Sequence, residues 1–212
     1  MNNRIHIYIA TFITLSYSQL VASIVVVDDF STGSYSIGSS AFSSNTSSIT
    51  STIADSRTST GSGSQCWASS IDVNIGLLQY SVTGEPAPGQ RLSILYANDD
   101  GNLNLAGFSH FFLDVSSIMG TADIFVLFRG AHDRISSEIP FNLSESGQFY
   151  IPFTYMGVAD PSSPSSVVFR IFPTSDDFSI TLSSIAVIPE PSSAFMIALG
   201  ALSIVVMRRR KQ

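Results

Sequence analysis

Paired carboxylates are the densest chemistry in this chain. Asp28-Asp29 opens its central region and Asp176-Asp177 stands near the end of it. In a β fold whose first and last strands pair, these four residues meet, and they are the candidate ligands of a structural calcium ion, a cation that takes six to eight oxygens. The plainer reading is solvated loop acids, which also discourage strand edges from pairing with other chains. Asn98, Asp100, Asn102 and Asn104 place oxygens at alternate positions, as calcium loops do. Gly101, however, stands fourth in that run where such loops need it sixth, and Ser109 occupies the place of the bidentate glutamate. A hairpin turn explains that run instead. No other metal or cofactor is implied.

Catalytic signatures are sparse. His110 and Asp114 are four apart, which on a strand puts them on one face about 13 Å apart, too far for a hydrogen bond. His132-Asp133 follows Gly130 in a loop and reads as solvated. The sequence has no Gly-x-Ser-x-Gly elbow, no His-Glu-x-x-His pair, no Walker loop and no metal-spaced Cys/His set. Its many serines leave room for a triad assembled in space, but nothing in their spacing points to one. Cys66 is the single cysteine, so no intrachain disulfide forms, and beside Trp67 it reads as a small buried hydrophobe. The chain is expected to be non-enzymatic. Sugar-binding sites present exposed aromatics and a few amides or carboxylates; Trp67, Tyr80, Tyr96, Tyr150 and Tyr155 are candidates that fit a sheet core or rim equally well.

The elements that would position these residues are strands. Ile24–Phe30 is a short β-branched run, and Gln65–Ile75 alternates apolar and polar residues. Leu77–Val82, Leu92–Tyr96, Phe108–Val115, Ile124–Phe128, Arg134–Phe141, Gln148–Phe153, Val167–Phe172 and Phe178–Val187 continue the set. The stretch Ser39–Ser64 is rich in Ser, Thr and Gly, with Ile49, Ile53 and Ala54 as its inward residues. Gly84–Gly89 is a loop, and Asp100-Gly101 between apolar runs predicts a hairpin, because glycine adopts positive φ without steric penalty. No segment before the C-terminal tail sustains a 3.6-residue period. Many short strands with frequent turns predict an all-β, jelly-roll-like sandwich of two facing sheets.

Between the two ends of the chain there are five arginines, no lysine and all sixteen acids, a charge of −11 through Pro191. So acidic a surface repels phosphate backbones and excludes nucleic acid as a partner. One domain of about 165 residues, 23–188, is large enough to hold together through its core alone.

Both ends read as addresses. Arg4 precedes the largely apolar Ile5–Leu15, and Leu20-Val21-Ala22 offers a small residue at a cleavage point, so residues 1–22 are expected to be a secretory signal handled by the Sec translocon. At the other end stand Pro189-Glu190-Pro191, a Ser192-Ser193 spacer, an uncharged run over Ala194–Met207 and the cations Arg208, Arg209, Arg210 and Lys211. Counted from Pro191, the segment has seventeen uncharged residues, at the lower limit of a membrane-spanning helix. The four cations favour the cytoplasmic side, which places the bulk of the chain outside.

That order of motif, helix and basic stop resembles the PEP-CTERM sorting signal of Gram-negative and related bacteria, over about 25 residues. The resemblance implies that Pro189, Glu190 and Pro191 are recognised by exosortase, a multispanning membrane enzyme, and that the tail is cut there after transient anchoring in the inner membrane. It also implies association with exopolysaccharide or biofilm at the cell surface or in the extracellular matrix. The strand pattern resembles the jelly-roll domains of carbohydrate-binding modules and of other PEP-CTERM ectodomains, in which an opening Asp-Asp-Phe strand lies near a closing strand such as Ile180–Ala186. The rival readings are a carbohydrate-binding or carbohydrate-active sandwich, and a plain C-terminal anchor that is never cut.

Overall fold

The structure is a computed structural model that describes residues 24–37, 42–62, 69–130, 140–153 and 164–190. The expected signal 1–22, the apolar run 194–207, the basic stop 208–211, Pro191, Cys66, Trp67, His132-Asp133 and Tyr155 lie outside these residues. No helix among the described residues is long and apolar enough to cross a membrane.

Val25–Ile188 forms one compact unit made of strands. The first sheet holds β1 (Val25–Asp28), β2 (Tyr35–Ile37), β5 (Ser69–Asn74), β6 (Leu77–Val82), β8 (Phe108–Met119), β11 (Gly147–Pro152) and β13 (Ser179–Pro189). Its order is β11-β8-β13-β6-β5-β2, with β1 also on β13. The second sheet holds β3 (Phe42–Ser48), β4 (Ser56–Ser62), β7 (Arg91–Ala97), β9 (Ala122–Arg129), β10 (Phe141–Leu143) and β12 (Ser166–Pro173), in the order β10-β9-β12-β7-β4-β3. The fold is therefore an all-β sandwich.

Alternation builds the core. In β7, Leu92, Ile94 and Tyr96 are buried while the residues between them are half-buried, and in β6 the buried Leu78, Tyr80 and Val82 alternate with the exposed Gln79 and the half-buried Ser81. This period of two is what a strand with one packed face requires. Phe111, Phe128, Phe153 and Phe169 meet between the sheets, with ring centroids 4.8 to 5.9 Å apart in tilted and edge-on pairs. Full burial of each such ring stabilises by roughly 1.5–3 kcal/mol. Ile53 and Ala54 are buried and Ile49 packs partly against the core, as the sequence pattern predicts for the Ser/Thr-rich stretch.

The expected hairpin at Asp100-Gly101 is not one. β7 lies in the second sheet and β8 in the first, so the segment between them crosses from sheet to sheet. Leu103 and Leu105 are buried without joining a strand, and the Leu103 N–H donates to Pro164 O at 2.7 Å. The loop's side chains cap its own backbone: Asp100 Oδ1 accepts from Asn102 N and Asn104 Oδ1 from Ala106 N, while Asn98 Nδ2 donates to Asn102 O. The oxygen-rich run is thus used in local turns.

β13 is the strand on which the first sheet turns. Its first half pairs with β6, Ser179 opposite Ser81 through Leu182 opposite Leu78. Its second half pairs with β1, Ile185 opposite Asp28 and Val187 opposite Val25. Inward residues shift parity between the halves, from Ile180 and Leu182 to Ile185 and Val187, with Ser183 and Ser184 half-exposed at the change. The first and last strands of the unit are therefore neighbours.

Candidate functional site

Two places are candidates: a buried polar cluster beneath β1, and the point where β13 meets the C-terminal tail. The cluster begins with a bulge. Register on β13 shifts between Val26 and Asp28, so Val27 is an extra residue. Simple alternation would turn Val27 inward and Asp28 outward, whereas the bulge buries both.

Asp28 is consumed there. Its Oδ2 accepts from Arg57 Nη1 at 2.6 Å and from the Tyr96 hydroxyl at 3.0 Å, and its Oδ1 accepts from Phe30 N at 2.8 Å. Arg57 is 0 % exposed, and its Nη2 donates to Thr32 O and Gly33 O at 3.0 and 3.1 Å. The guanidinium also lies over the rings of Phe30 and Tyr35, 5.3 and 5.9 Å from their centroids. Burial pushes the Tyr96 phenol well above its ordinary pKa, with the Asp28 charge adding to the effect, and burial likewise raises Tyr35. The cluster joins β1, the β1–β2 connection, β4 and β7. A carboxylate that is paired with a cation and accepts three hydrogen bonds tolerates such burial.

The four acids singled out as calcium ligands are not brought together. Asp28 has its charge balanced by Arg57. Asp29 Oδ1 accepts from Ser31 N and from Ser31 Oγ, and this hydroxyl bond, more than any other contact, holds its pKa below the ordinary carboxylate value. Asp177 Oδ1 accepts from Gly84 N at 2.8 Å, and Asp176 is exposed beside it. β1 does pair with β13, but antiparallel, with Asp28 opposite Ile185. β13 begins at Ser179, six residues or about 20 Å along the strand from Ile185, and Asp177 lies before that start. Among the described residues no three His, Cys, Asp or Glu side chains gather into a metal-binding group.

Of the aromatics considered for sugar binding, Tyr80 and Tyr96 are core residues. Tyr150 is 50 % exposed, opposite Phe112 on the outer face of the first sheet, with their rings edge-on at 5.5 Å. His110 lies on β8 and its Nδ1 is 2.7 Å from Ser109 Oγ.

At the other place, Val187 is fully buried and pairs with Val25, β13 continues to Pro189, and Glu190 is exposed. Residues 187–211 match the PEP-CTERM protein-sorting motif. The last core strand therefore runs into the sorting motif without a linker, because the match begins at the buried Val187. Such a motif implies a chain that is exported and handled by exosortase.

No curated protein sequence matches the chain. Among solved structures, the family 11 carbohydrate-binding module of the cellulase Lic26A-Cel5E of Clostridium thermocellum is similar at 12% identity, covering 82% of this chain and 99% of that one, with a TM-score of 0.46. The N-terminal cellulose-binding domain of Cellulomonas fimi β-1,4-glucanase C is similar at 17% identity, covering 58% of this chain and 84% of that one, with a TM-score of 0.36. PfGH50B matches at 11% identity over 82% of this chain and 25% of its own length, with a TM-score of 0.47. At such identities and scores, no ligand or activity carries over from these proteins.

Proposed function

We propose that this chain is an exported, non-enzymatic protein of the cell surface or extracellular matrix. Its jelly-roll-like sandwich is the cargo, and the segment from Pro189 onward is the address. The observation that carries this reading is the sorting motif at 187–211, joined directly to the closing core strand. Residues 1–22 enter the Sec translocon and are removed. The run 194–207 then holds the chain in the inner membrane, with Arg208–Lys211 on the cytoplasmic side, while an exosortase-type enzyme reads Pro189-Glu190-Pro191. The released sandwich associates with exopolysaccharide. Its charge of −11 suits a soluble life outside the cell.

The test is replacement of Pro189, Glu190 and Pro191 by alanine, read as intact mass of the protein from the envelope and the medium. Export should persist while tail removal stops. Unchanged tail removal in the variant would sink the sorting role of the motif. A wild-type mass that retains Arg208–Lys211 would instead establish a plain C-terminal anchor.

A further inference from the structure

The β5–β6 hairpin carries two unfavourable features at one residue. Ile75 and Gly76 form a two-residue turn between Asn74 and Leu77, with φ of 49° and 78°. Positive φ at both positions is what tight hairpins use, and asparagine, aspartate or glycine normally fills the first. A β-branched residue there is an outlier. Ile75 is also 87 % exposed, the most exposed large hydrophobic side chain among the described residues. Strain of this kind persists where function holds it, and a solvated isoleucine adds nothing to the core.

Beside Ile75 lies an open cleft of about 210 Å³, lined by Asp72, Asn74, Ile75, Leu77 and Gln79 on the outer face of the first sheet. Asp72 stands opposite Gln79, and Asn74 opposite Leu77. Their inward neighbours Ile71, Val73, Leu78 and Tyr80 fill the core, so the scaffold under the cleft is packed. The heads of Asp72, Asn74 and Gln79 make no hydrogen bond among the described residues, and the hairpin tip is tied down by Gly76 N donating to Phe30 O at 3.2 Å. The cleft therefore offers one carboxylate, two carboxamides and two aliphatic side chains on a rigid support.

We infer that this cleft binds one neutral sugar ring of a polysaccharide, an inference that rests on the matrix role proposed above and names its site. A pyranose presents apolar C–H faces to Ile75 and Leu77 and a rim of hydroxyls to Asp72, Asn74 and Gln79. The volume is below the roughly 300–1,000 Å³ of sites for drug-sized ligands, so the cleft takes a single ring of a chain that runs on across the sheet. Asp72, on a region whose charge through Pro191 is −11, repels a uronic acid and selects neutral sugars. A single carboxylate with two amides falls short of the six to eight oxygens that a calcium ion takes.

The test is affinity electrophoresis of the full chain in mild detergent, through gels containing dextran, galactomannan, mixed-linkage β-glucan or alginate. The wild type should be retarded by at least one neutral polymer and not by alginate. Asp72→Asn and Ile75→Asn should each weaken that retardation about tenfold or more, the scale of a lost charge-assisted hydrogen bond for the first and of a lost apolar contact for the second, with thermal unfolding midpoints no lower than wild type. Tyr150→Ala, elsewhere on the same sheet, should leave it unchanged. Unaltered retardation of Asp72→Asn and Ile75→Asn overturns the cleft while the matrix role stands, and retardation by alginate alone does the same. A wild type that migrates freely in every gel overturns both.

Discussion

Asp28 decides how the polar interior of this protein works, and its partner could not be read from the sequence. The strand pattern at 24–30 is visible, and strict alternation then assigns Asp28 to solvent or to a metal. One bulge residue, Val27, reverses that, and the cation that answers the carboxylate is 29 positions away on a Ser/Thr-rich strand of the other sheet. The available hint was parity, since Arg57 shares the inward register of Ser59 and Gly61. Arg57→Met leaves a buried carboxylate without its counter-charge and should destabilise the fold by about 3–5 kcal/mol in urea unfolding. The double variant Asp28→Leu, Arg57→Met should recover most of that loss, because an apolar pair has no charge to desolvate. Gly33 supports the same cluster: at φ +69° an added Cβ would collide with Ser47, beside the carbonyl that accepts from Arg57. The two tyrosines set an alkaline limit. Their folded pKa values lie above the unfolded value near 10, so their contribution is complete below about pH 10 and is lost as pH rises through the folded values. Urea midpoints should therefore fall above about pH 10, and Tyr96→Phe should be less sensitive in that range while being less stable by about 1–3 kcal/mol at neutral pH, since Asp28 loses a hydrogen bond.

At the scale of elements, periodicity and turn chemistry made most strands legible, because one face of each is packed and its residues alternate. Errors came where a local signal met a long-range constraint. Asp100-Gly101 has the chemistry of a hairpin, yet burial of Leu103 and Leu105 carries the chain across to the other sheet. The opposite case is Ile75-Gly76, a true two-residue hairpin whose first position has the wrong residue for its backbone. Ile75→Asn should relieve a left-handed conformation that costs roughly 1–2 kcal/mol and raise the midpoint of thermal unfolding by about 2–8 °C. Differential scanning calorimetry reads this directly, and an unchanged or lower midpoint would mean that Ile75 packs usefully where it stands.

At the scale of the whole molecule, the two ends of the sandwich close on each other. Val25 begins the unit and pairs with Val187, whose buried side chain lies inside the match to the sorting motif. The motif was legible because it is local and ordered in sequence. Its overlap with the core was not, because it depends on β1 lying beside β13. This overlap limits where the tail can be removed. A cut before Ile185 would take Ile185 and Val187 out of the core and leave β1 without its partner, and loss of each such side chain costs about 2–5 kcal/mol. That total rivals the roughly 5–15 kcal/mol of net stability that domains have. A cut at or beyond Pro189 leaves every pair of β1 with β13 intact. A chain ending at Glu190 should therefore unfold at the same urea concentration as the mature protein, and one ending at Ser184 should fail to give a cooperative transition. Equal stability of the two truncations would show that the last residues of β13, from Ile185 on, contribute nothing, and would free the cleavage site to lie upstream of the motif.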